Sequence, residues 1–409
     1  MPKSKKKIWI VAPFTNNESF SIRNRFNYLA NLLHDNEFDV TLFTSNFNHI
    51  AKKHVSGDIV NKAPYKVVLI HEPGYKKNVS IGRACSHMLF SKNLKDKIYT
   101  MSKPALILAA YPTMSAAYVA GKYAEKHKIP FVIDVQDTWP ESISAAINTD
   151  KLYVRMLMYP FTRFANTIYK KAIYVFGVSE TYTNRANIKG SKSKGFTSIY
   201  IGAEGNKFKD IKLDADAISK PDNEIWITYI GTLSHSYDIE TAIRAFSKLR
   251  SLGNIKFQIL GDGPHKDQLV KIAKELDVFD KNVIFRGFMK YETMIEFLKK
   301  SDIALNALTG GSKGSITNKF GDYVSAGLPM LNSCQVEEVL NLVVEKELGL
   351  NYQPGDVESL EKAIMLILSD KEKLKEYSAN AIRFAEEKFD RKNSYKAFLS
   401  TIRELINWL

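Results

Sequence analysis

Lys256-Phe-Gln-Ile-Leu-Gly-Asp-Gly-Pro264 runs straight from an apolar, strand-like segment into a glycine-rich turn. A helical segment, Lys266 to Leu276, follows it. Pro264 suits the first turn of that helix, because its missing N–H is one the helix would leave unpaired anyway. The remaining amides at such a helix start can hold an anion. From this stretch alone, a plain tight turn is an equally good reading. The same grammar stands one step earlier, where the strand Ile225–Ile230 meets Gly231 and the helix Ile239–Leu252. A strand, a glycine turn and a helix in repeating order is the pattern of a parallel sheet flanked by helices.

Working outward, the pattern fills the chain. In the second half further strands are expected at Asn282–Phe285, Ile303–Asn306 and Pro329–Asn332. In the first half they are expected at Lys7–Ala12, Asp39–Thr44, Val67–His71, Ala105–Ala109, Phe131–Asp134, Tyr174–Val178 and Thr197–Ile201. Ile22 to His34 reads as a helix, with Phe26, Leu29, Ala30 and Leu33 at helical spacing. Pro104 to Gly121 carries no charge and approaches membrane-spanning length. Pro112, Thr113 and Ser115 interrupt it, so it reads as a buried strand followed by the helix Ser115–His127. The 409 residues exceed one ordinary core. The polar stretch Asn206 to Glu224 reads as a linker. The expected domains are therefore 1–205 and 206–385, with 386–409 a helical end, striped by Phe398, Ile402, Leu405, Ile406 and Leu409, that caps the second domain or crosses back to the first.

Hydrophobic residues at 45% and charged residues at 25% are globular proportions and argue against disorder. Two cysteines, Cys85 and Cys334, exclude a disulfide framework and a cysteine-based metal site. They suit a reducing, cytoplasmic setting. Ile8 to Phe14 is too short for a secretory signal and reads as a first strand. The net charge of +14 calls for an anionic partner: nucleic acid, an anionic membrane surface or a phosphorylated substrate. The tail Lys3-Ser-Lys-Lys-Lys7 adds to the charge and reads as a solvated basic segment.

Open parallel sheets bind ligands outside the carboxyl ends of their strands, so the loops after strands carry the chemistry. Tyr229-Ile-Gly-Thr-Leu-Ser-His235 brings Gly231, which lets backbone approach a ligand, and the hydroxyl of Thr232. Gly261-Asp-Gly263 is the turn quoted above. Gly310-Gly-Ser-Lys-Gly-Ser-Ile-Thr-Asn-Lys-Phe-Gly-Asp-Tyr323 is a glycine-rich loop entering a helix capped by Ser315 or Thr317. Phosphates suit that position, with Lys319 adding a full charge. Asp322, three residues on, shares a helix face with Lys319 and suits a ribose diol. This is not a P-loop, because the lysine lies inside the helix and the glycine spacing differs. In the first half, Asp134-Val-Gln-Asp-Thr-Trp-Pro-Glu141 follows a strand. Asp134 could cap, orient a neighbour or solvate the strand end. Asp137 lies further into the loop, beside Trp139, whose flat face suits a sugar or lipid. Asn16-Asn-Glu-Ser19, with Arg23 and Arg25, could hold an acceptor phosphate.

Over nearly the whole chain these segments resemble the retaining glycosyltransferases of family 4, of GT-B fold. The likeness is nearest to bacterial enzymes of surface-polysaccharide synthesis, such as capsule and lipopolysaccharide. It rests on Asp134-Val-Gln-Asp-Thr-Trp-Pro140, Tyr229-Ile-Gly-Thr232, Gly261-Asp-Gly-Pro264 and, most specifically, Asn318-Lys-Phe-Gly-Asp-Tyr-Val-Ser-Ala-Gly-Leu-Pro329. The resemblance implies an α/β protein of two Rossmann-like, doubly wound domains facing across a cleft, with no metal. It implies that the second domain binds a nucleotide-sugar, a UDP-sugar foremost. Its donor set is Gly231, Thr232, Gly261, Asp262, Gly263, Phe288, Ser315, Ile316, Thr317, Asn318, Lys319 and Asp322. The first domain takes a glycan or polyprenyl-phosphate-linked acceptor through Asn16, Asn17, Glu18, Arg23 and Trp139. Asp137 and Lys319 are the catalytic candidates.

The chain also departs from the family. Of the two glutamates eight positions apart that many members carry, the later matches Asp322 and the earlier Gly314. Thr232 stands for the usual arginine, and Thr15-Asn-Asn-Glu18 for the usual glycine pair. Lys319 is placed to supply the missing charge. Leu152 to Ala165 mixes aromatics, Met and Arg, and reads either as a helix packed on the first domain or as a segment in a membrane interface. That second reading suits a cytoplasmic enzyme held peripherally on the inner face of the plasma membrane. A sugar-nucleotide 2-epimerase shares the architecture but needs more carboxylates than these loops offer. A dehydrogenase lacks its Gly-x-Gly-x-x-Gly after the first strand. A nucleic-acid-binding protein would explain the charge, but no recognition motif appears, and nucleic acid is not expected as a partner.

Overall fold

The computed structural model describes residues 5–15, 20, 24–78, 80–145, 151–202, 218–310 and 316–407. The chain divides into two compact units, Met1–Ile199 together with Tyr395–Leu409, and Tyr200–Ser394.

The first unit runs β1 (Lys7–Val11), α1 (Arg25–Asp35), β2 (Asp39–Ser45), a small antiparallel pair β3 (Phe47–Asn48) and β4 (Lys53–His54), β5 (Lys66–Ile70), α2 (Ile81–Tyr99), β6 (Leu106–Tyr111), α3 (Met114–His127), β7 (Phe131–Val135), α4 (Leu152–Tyr169), β8 (Tyr174–Gly177), α5 (Glu180–Asn184) and β9 (Phe196–Ser198). Its main sheet is parallel, in the order β5-β2-β1-β6-β7-β8-β9. Strands covered on both faces are mostly apolar, which is why they stand out in the sequence. On one face Trp9 meets Phe43 edge-on and Tyr123 of α3. On the other, Ile8, Ile10, Leu106 and Leu108 pack with Leu29 and Leu33 of α1 and with Phe398 and Ile402 near the C-terminus. Helix α1 starts later than its apolar period suggests. Asn24 caps it, its side-chain carbonyl accepting the amides of Phe26 and Asn27 at 2.9 and 3.3 Å. The uncharged stretch after Pro104 is the fully buried β6 followed by α3. No helix among the described residues is long and apolar enough to cross a membrane.

The second unit continues with β10 (Ile225–Ile230), α6 (Ile239–Lys248), β11 (Ile255–Leu260), α7 (Lys266–Glu275), β12 (Val283–Gly287), α8 (Tyr291–Lys300), β13 (Ile303–Asn306), α9 (Asn318–Ser325), β14 (Met330–Asn332), α10 (Glu337–Glu345), β15 (Gly349–Asn351), α11 (Val357–Ser369), α12 (Lys371–Lys388) and α13 (Arg391–Ser394). The last helix, α14 (Lys396–Asn407), lies in the residues that count with the first unit. The second sheet is also parallel, ordered β12-β11-β10-β13-β14-β15. Apolar cores cover both of its faces. Helix α6 ends four residues before the last of its expected span, at Lys248, with Leu249 as its C-cap. Each sheet starts from an inner strand, β1 or β10, builds outward on one side and then resumes on the other. That is the doubly wound, Rossmann-like order, and its ligand crevice opens where the direction reverses, at the carboxyl ends of the two inner strands.

Candidate active site

In the second unit the reversal falls between β10 and β13. Two glycine loops meet beside it. Gly231 ends β10 with φ +124°, a conformation that side chains disfavour. Its N–H donates to Leu260 O at 2.8 Å, and the Leu233 N–H to Asp262 O at 3.0 Å. The loops interlock so closely that a Cβ on Gly261 would lie 1.8 Å from Gly231 O, and one on Gly263 would lie 2.3 Å from Leu233 O. Only glycine permits this approach, which makes the two loops one rigid ledge.

Helix α9 begins beside that ledge, with Thr317 at its N-cap position. Tyr323 anchors the helix: its hydroxyl accepts the Ile230 N–H at 2.9 Å and donates to Leu305 O at 3.1 Å. Lys319 Nζ then lies over Gly231, where an added Cβ would come within 2.5 Å of the lysine Cε. The amine donates to the Tyr229 hydroxyl at 2.7 Å and sits 3.2 Å from the Tyr237 ring centroid. The Tyr229 hydroxyl in turn donates to Thr232 O at 2.8 Å. Ring faces attract a cation, but they do not neutralise it. No carboxylate among the described residues forms an ion pair with Lys319, and burial lowers its pKa to about 6.

Asp322 shares the helix but not the contact. It accepts a hydrogen bond from the Tyr291 hydroxyl at 2.9 Å, and burial raises its pKa to about 7 against that bond. An (i, i+3) lysine and aspartate commonly pair on a helix. Here each is held by a different tyrosine. The helix start therefore presents a half-buried amine, lowered to about 6, and a half-buried carboxyl, raised to about 7.

The remaining donor candidates sort by burial. Thr232 and Asn318 are exposed, while Ile316 is buried. Thr317 Oγ1 is enclosed without a hydrogen-bond partner among the described residues. Phe288 follows Gly287 and is 80% exposed. Asp262 turns outward, accepting the Gly263 N–H at 2.8 Å and pairing with Lys266 at 3.0 Å. Ser315 lies outside the described residues. Two features escaped the sequence reading. His235 and His265 stand Nε2 to Nε2 at 3.0 Å beside the ledge. Asn306, Asn332 and Asn351 form a chain of 2.7 Å side-chain bonds across the carboxyl ends of β13, β14 and β15. Among the described residues no group of three or more His, Cys, Asp or Glu side chains is gathered as a metal site.

In the first unit the structure corrects one expectation. Arg25 is not available to an acceptor phosphate. It is buried, and donates to Asp134 Oδ2 at 2.7 Å, Ile199 O at 2.6 Å and the Tyr395 hydroxyl at 2.9 Å. Asp134 is thus the partner of a buried arginine. Asp137 is half-buried; burial raises its pKa, opposed by hydrogen bonds from the Ser142 side chain and the Thr138 backbone. Trp139 is half-buried, its carbonyl accepts the Tyr111 hydroxyl, and its bond to Pro140 is cis. Asn16, Asn17, Glu18 and Arg23 lie outside the described residues. Near the carboxyl ends of β1, β2 and β5 the rings of Phe14, His49, Tyr75 and His87 pack together, with Arg83 over Phe14 and Tyr75. Burial, then the charge of Arg83, lowers the His87 pKa to about 4. No motif marked these residues: Phe14, His49 and Tyr75 lie in loops after strands, and Arg83 and His87 reach them from α2.

Comparison with known proteins agrees with this geometry. Residues 210–384 match the family described as Glycosyl transferases group 1. An uncharacterised glycosyltransferase of Methanocaldococcus jannaschii is 24% identical over 267 residues, covering 64% of this chain and 67% of that one. A protein of Escherichia coli K12 assigned as the colanic acid biosynthesis glycosyl transferase WcaI is 25% identical over 234 residues, 55% of this chain and 56% of the relative. Among solved structures, HepE of Anabaena in complex with UDP superposes with a TM-score of 0.70 over 98% of this chain and 100% of its own, at 14% identity. WaaG, described as a glycosyltransferase involved in lipopolysaccharide biosynthesis, does so at 0.62 over 95% and 98%, at 12% identity. The two Rossmann-like units are those of the GT-B fold. The second carries a glycosyl transferases group 1 domain, and the protein is a glycosyltransferase.

Proposed function

We propose that this enzyme is a retaining transferase of family 4, which takes its sugar from a UDP-sugar and passes it to a glycan or a polyprenyl-phosphate-linked acceptor in bacterial surface-polysaccharide synthesis. The observation that carries the reading is Lys319: a half-buried amine with no carboxylate paired to it among the described residues, set over the Gly231 ledge at a helix N-terminus. That arrangement lacks one component, an anion. A diphosphate there meets the amides of α9 and the Lys319 charge together. The chain itself thus supplies the cation that stabilises the departing diphosphate, and the reading needs no metal. Asp322 accepts the ribose hydroxyls, and Phe288 offers its exposed ring to the base. Asp137 contacts the acceptor hydroxyl and Trp139 the acceptor's sugar or lipid. HepE is described with UDP and with UDP-glucose, and WcaI and WaaG by polysaccharide roles, which supports the donor and the setting.

Thermal unfolding with UDP, GDP, ADP, CMP and NAD added separately tests the donor. A ligand at about 100 times its dissociation constant adds about 2.7 kcal/mol, and UDP is expected to do so alone. Selective stabilisation by another nucleotide would replace UDP. A shift with NAD only would remove the transferase site. The anomeric configuration of the product, read by NMR, then decides retention. An isomerised sugar nucleotide with no transfer would instead mark an epimerase.

A further inference from the structure

Helix α4 carries an apolar face that the first unit does not use. Of the seventeen large apolar side chains exposed among the described residues, six lie within Leu152–Phe161: Leu152, Tyr153, Met156, Leu157, Tyr159 and Phe161. They are 45–69% exposed. Their spacing makes two adjoining rows on one side of the helix, Leu152, Met156 and Tyr159 beside Tyr153, Leu157 and Phe161. The side that faces the unit is marked by Val154, Ala165, Ile168 and Tyr169, and Phe161, the least exposed of the six, lies where the exposed rows meet it. A contiguous exposed patch of this kind marks a binding surface rather than the scattered apolar exposure of an ordinary protein.

The charges on the helix say what covers it. Leu152–Tyr169 contains no acidic residue. Arg155 and Arg163 are exposed on it, and the exposed Lys151 and Lys170 flank its two ends. A second copy of this chain would press these cations against their equals. A surface that is apolar beneath and anionic above complements both features. Long basic side chains reach outward while their stems lie along apolar surface, and tyrosine favours the same boundary. We propose that α4 is a membrane-interface helix that lies in the plane of an anionic lipid bilayer, its two apolar rows among the upper acyl chains and its cations at the phosphates. The net charge of +14 adds a long-range attraction to the same surface. This inference is independent of which donor the second unit takes.

The test is co-sedimentation of the full chain with phosphatidylcholine vesicles, with and without phosphatidylglycerol at about a third of the lipid. Binding is expected to the anionic vesicles and to fall as salt is raised from about 0.1 to about 0.5 M. The double substitution Met156→Glu with Leu157→Glu is expected to lower partitioning about 100-fold, roughly tenfold for each large side chain withheld from the lipid. Both side chains are exposed, so its melting temperature and its nucleotide-induced shift stay those of the parent. Arg155→Glu with Arg163→Glu is expected to abolish the preference for anionic over neutral vesicles. The proposal is overturned if no vesicles are bound, if the two compositions bind equally, or if the first double variant binds undiminished. A concentration-dependent dimer that this variant abolishes, without vesicle binding, would assign the face to a second copy instead.

Discussion

Replacing Lys319 by Met is expected to weaken binding of the nucleoside diphosphate about 100-fold, or about 2.7 kcal/mol, and to reduce kcat about 100- to 1000-fold. Methionine keeps the volume over Gly231 and between the rings of Tyr229 and Tyr237, so folding survives while the charge is lost. The size follows from the surroundings, since a charge-assisted contact in a half-buried site is about twice as strong as a neutral one. Titration calorimetry at several pH values adds a sign that a merely structural lysine would not show. The free enzyme holds the Lys319 pKa at about 6, so the amine is mostly neutral above that. A bound diphosphate favours the charged form and raises the pKa, so binding takes up a proton between the two values. Affinity is therefore expected to fall as pH rises from about 7 to about 9, by at most about tenfold per unit. Asp322, raised to about 7, gains its negative charge in the same range and pushes the same way. In Lys319→Met only the Asp322 part remains, and in Lys319→Met with Asp322→Asn the slope vanishes. Equal pH slopes in the parent and Lys319→Met would remove Lys319 from the site.

Much of this site was legible as place and little of it as contact. The strands announced themselves because parallel sheets bury both faces, so Ile225–Ile230 and Ile303–Asn306 are mostly apolar runs, with Thr228 and Asn306 the polar members. Strand β15 was missed because Gly349-Leu-Asn351 is too short and mixed to form such a run. Gly231, Gly261 and Gly263 were visible as glycines after strands. That they exist to let two loops interlock required the distances. Lys319 was visible as a charge near a helix start. Its partners were not, because Tyr229 stands 90 positions away and no pattern links a lysine to a particular ring. The (i, i+3) spacing to Asp322 suggested a shared face, but the two side chains turn to different tyrosines. The reading of Arg25 failed for the same reason. A basic residue near a polar loop looks like an anion site until the fold brings Asp134, 109 positions on, against it.

That buried pair sets the largest stability effect to be expected in the first unit. Arg25 and Asp134 have side chains only 3% and 0% exposed, and their 2.7 Å contact joins α1 to β7. Burial alone would lower the arginine pKa, but Asp134 and Tyr395 outweigh it and hold the guanidinium charged. Taking two charges out of water is costly, so the pair itself adds little net stability. Breaking it is another matter. Arg25→Met leaves the Asp134 carboxylate buried and uncompensated, and also removes the donors to Ile199 O and the Tyr395 hydroxyl. The expected loss is about 3–5 kcal/mol, a fall of about 10 °C in the melting of a unit this size. Arg25→Met with Asp134→Leu is expected to recover most of it, because an apolar pair of similar volume needs no compensation. Stabilisation of the second unit by the diphosphate should persist in both variants, since every residue of the Lys319 site lies within Tyr200–Ser394. If Arg25→Met melts like the parent yet acceptor affinity collapses, the arginine is a ligand-binding residue after all.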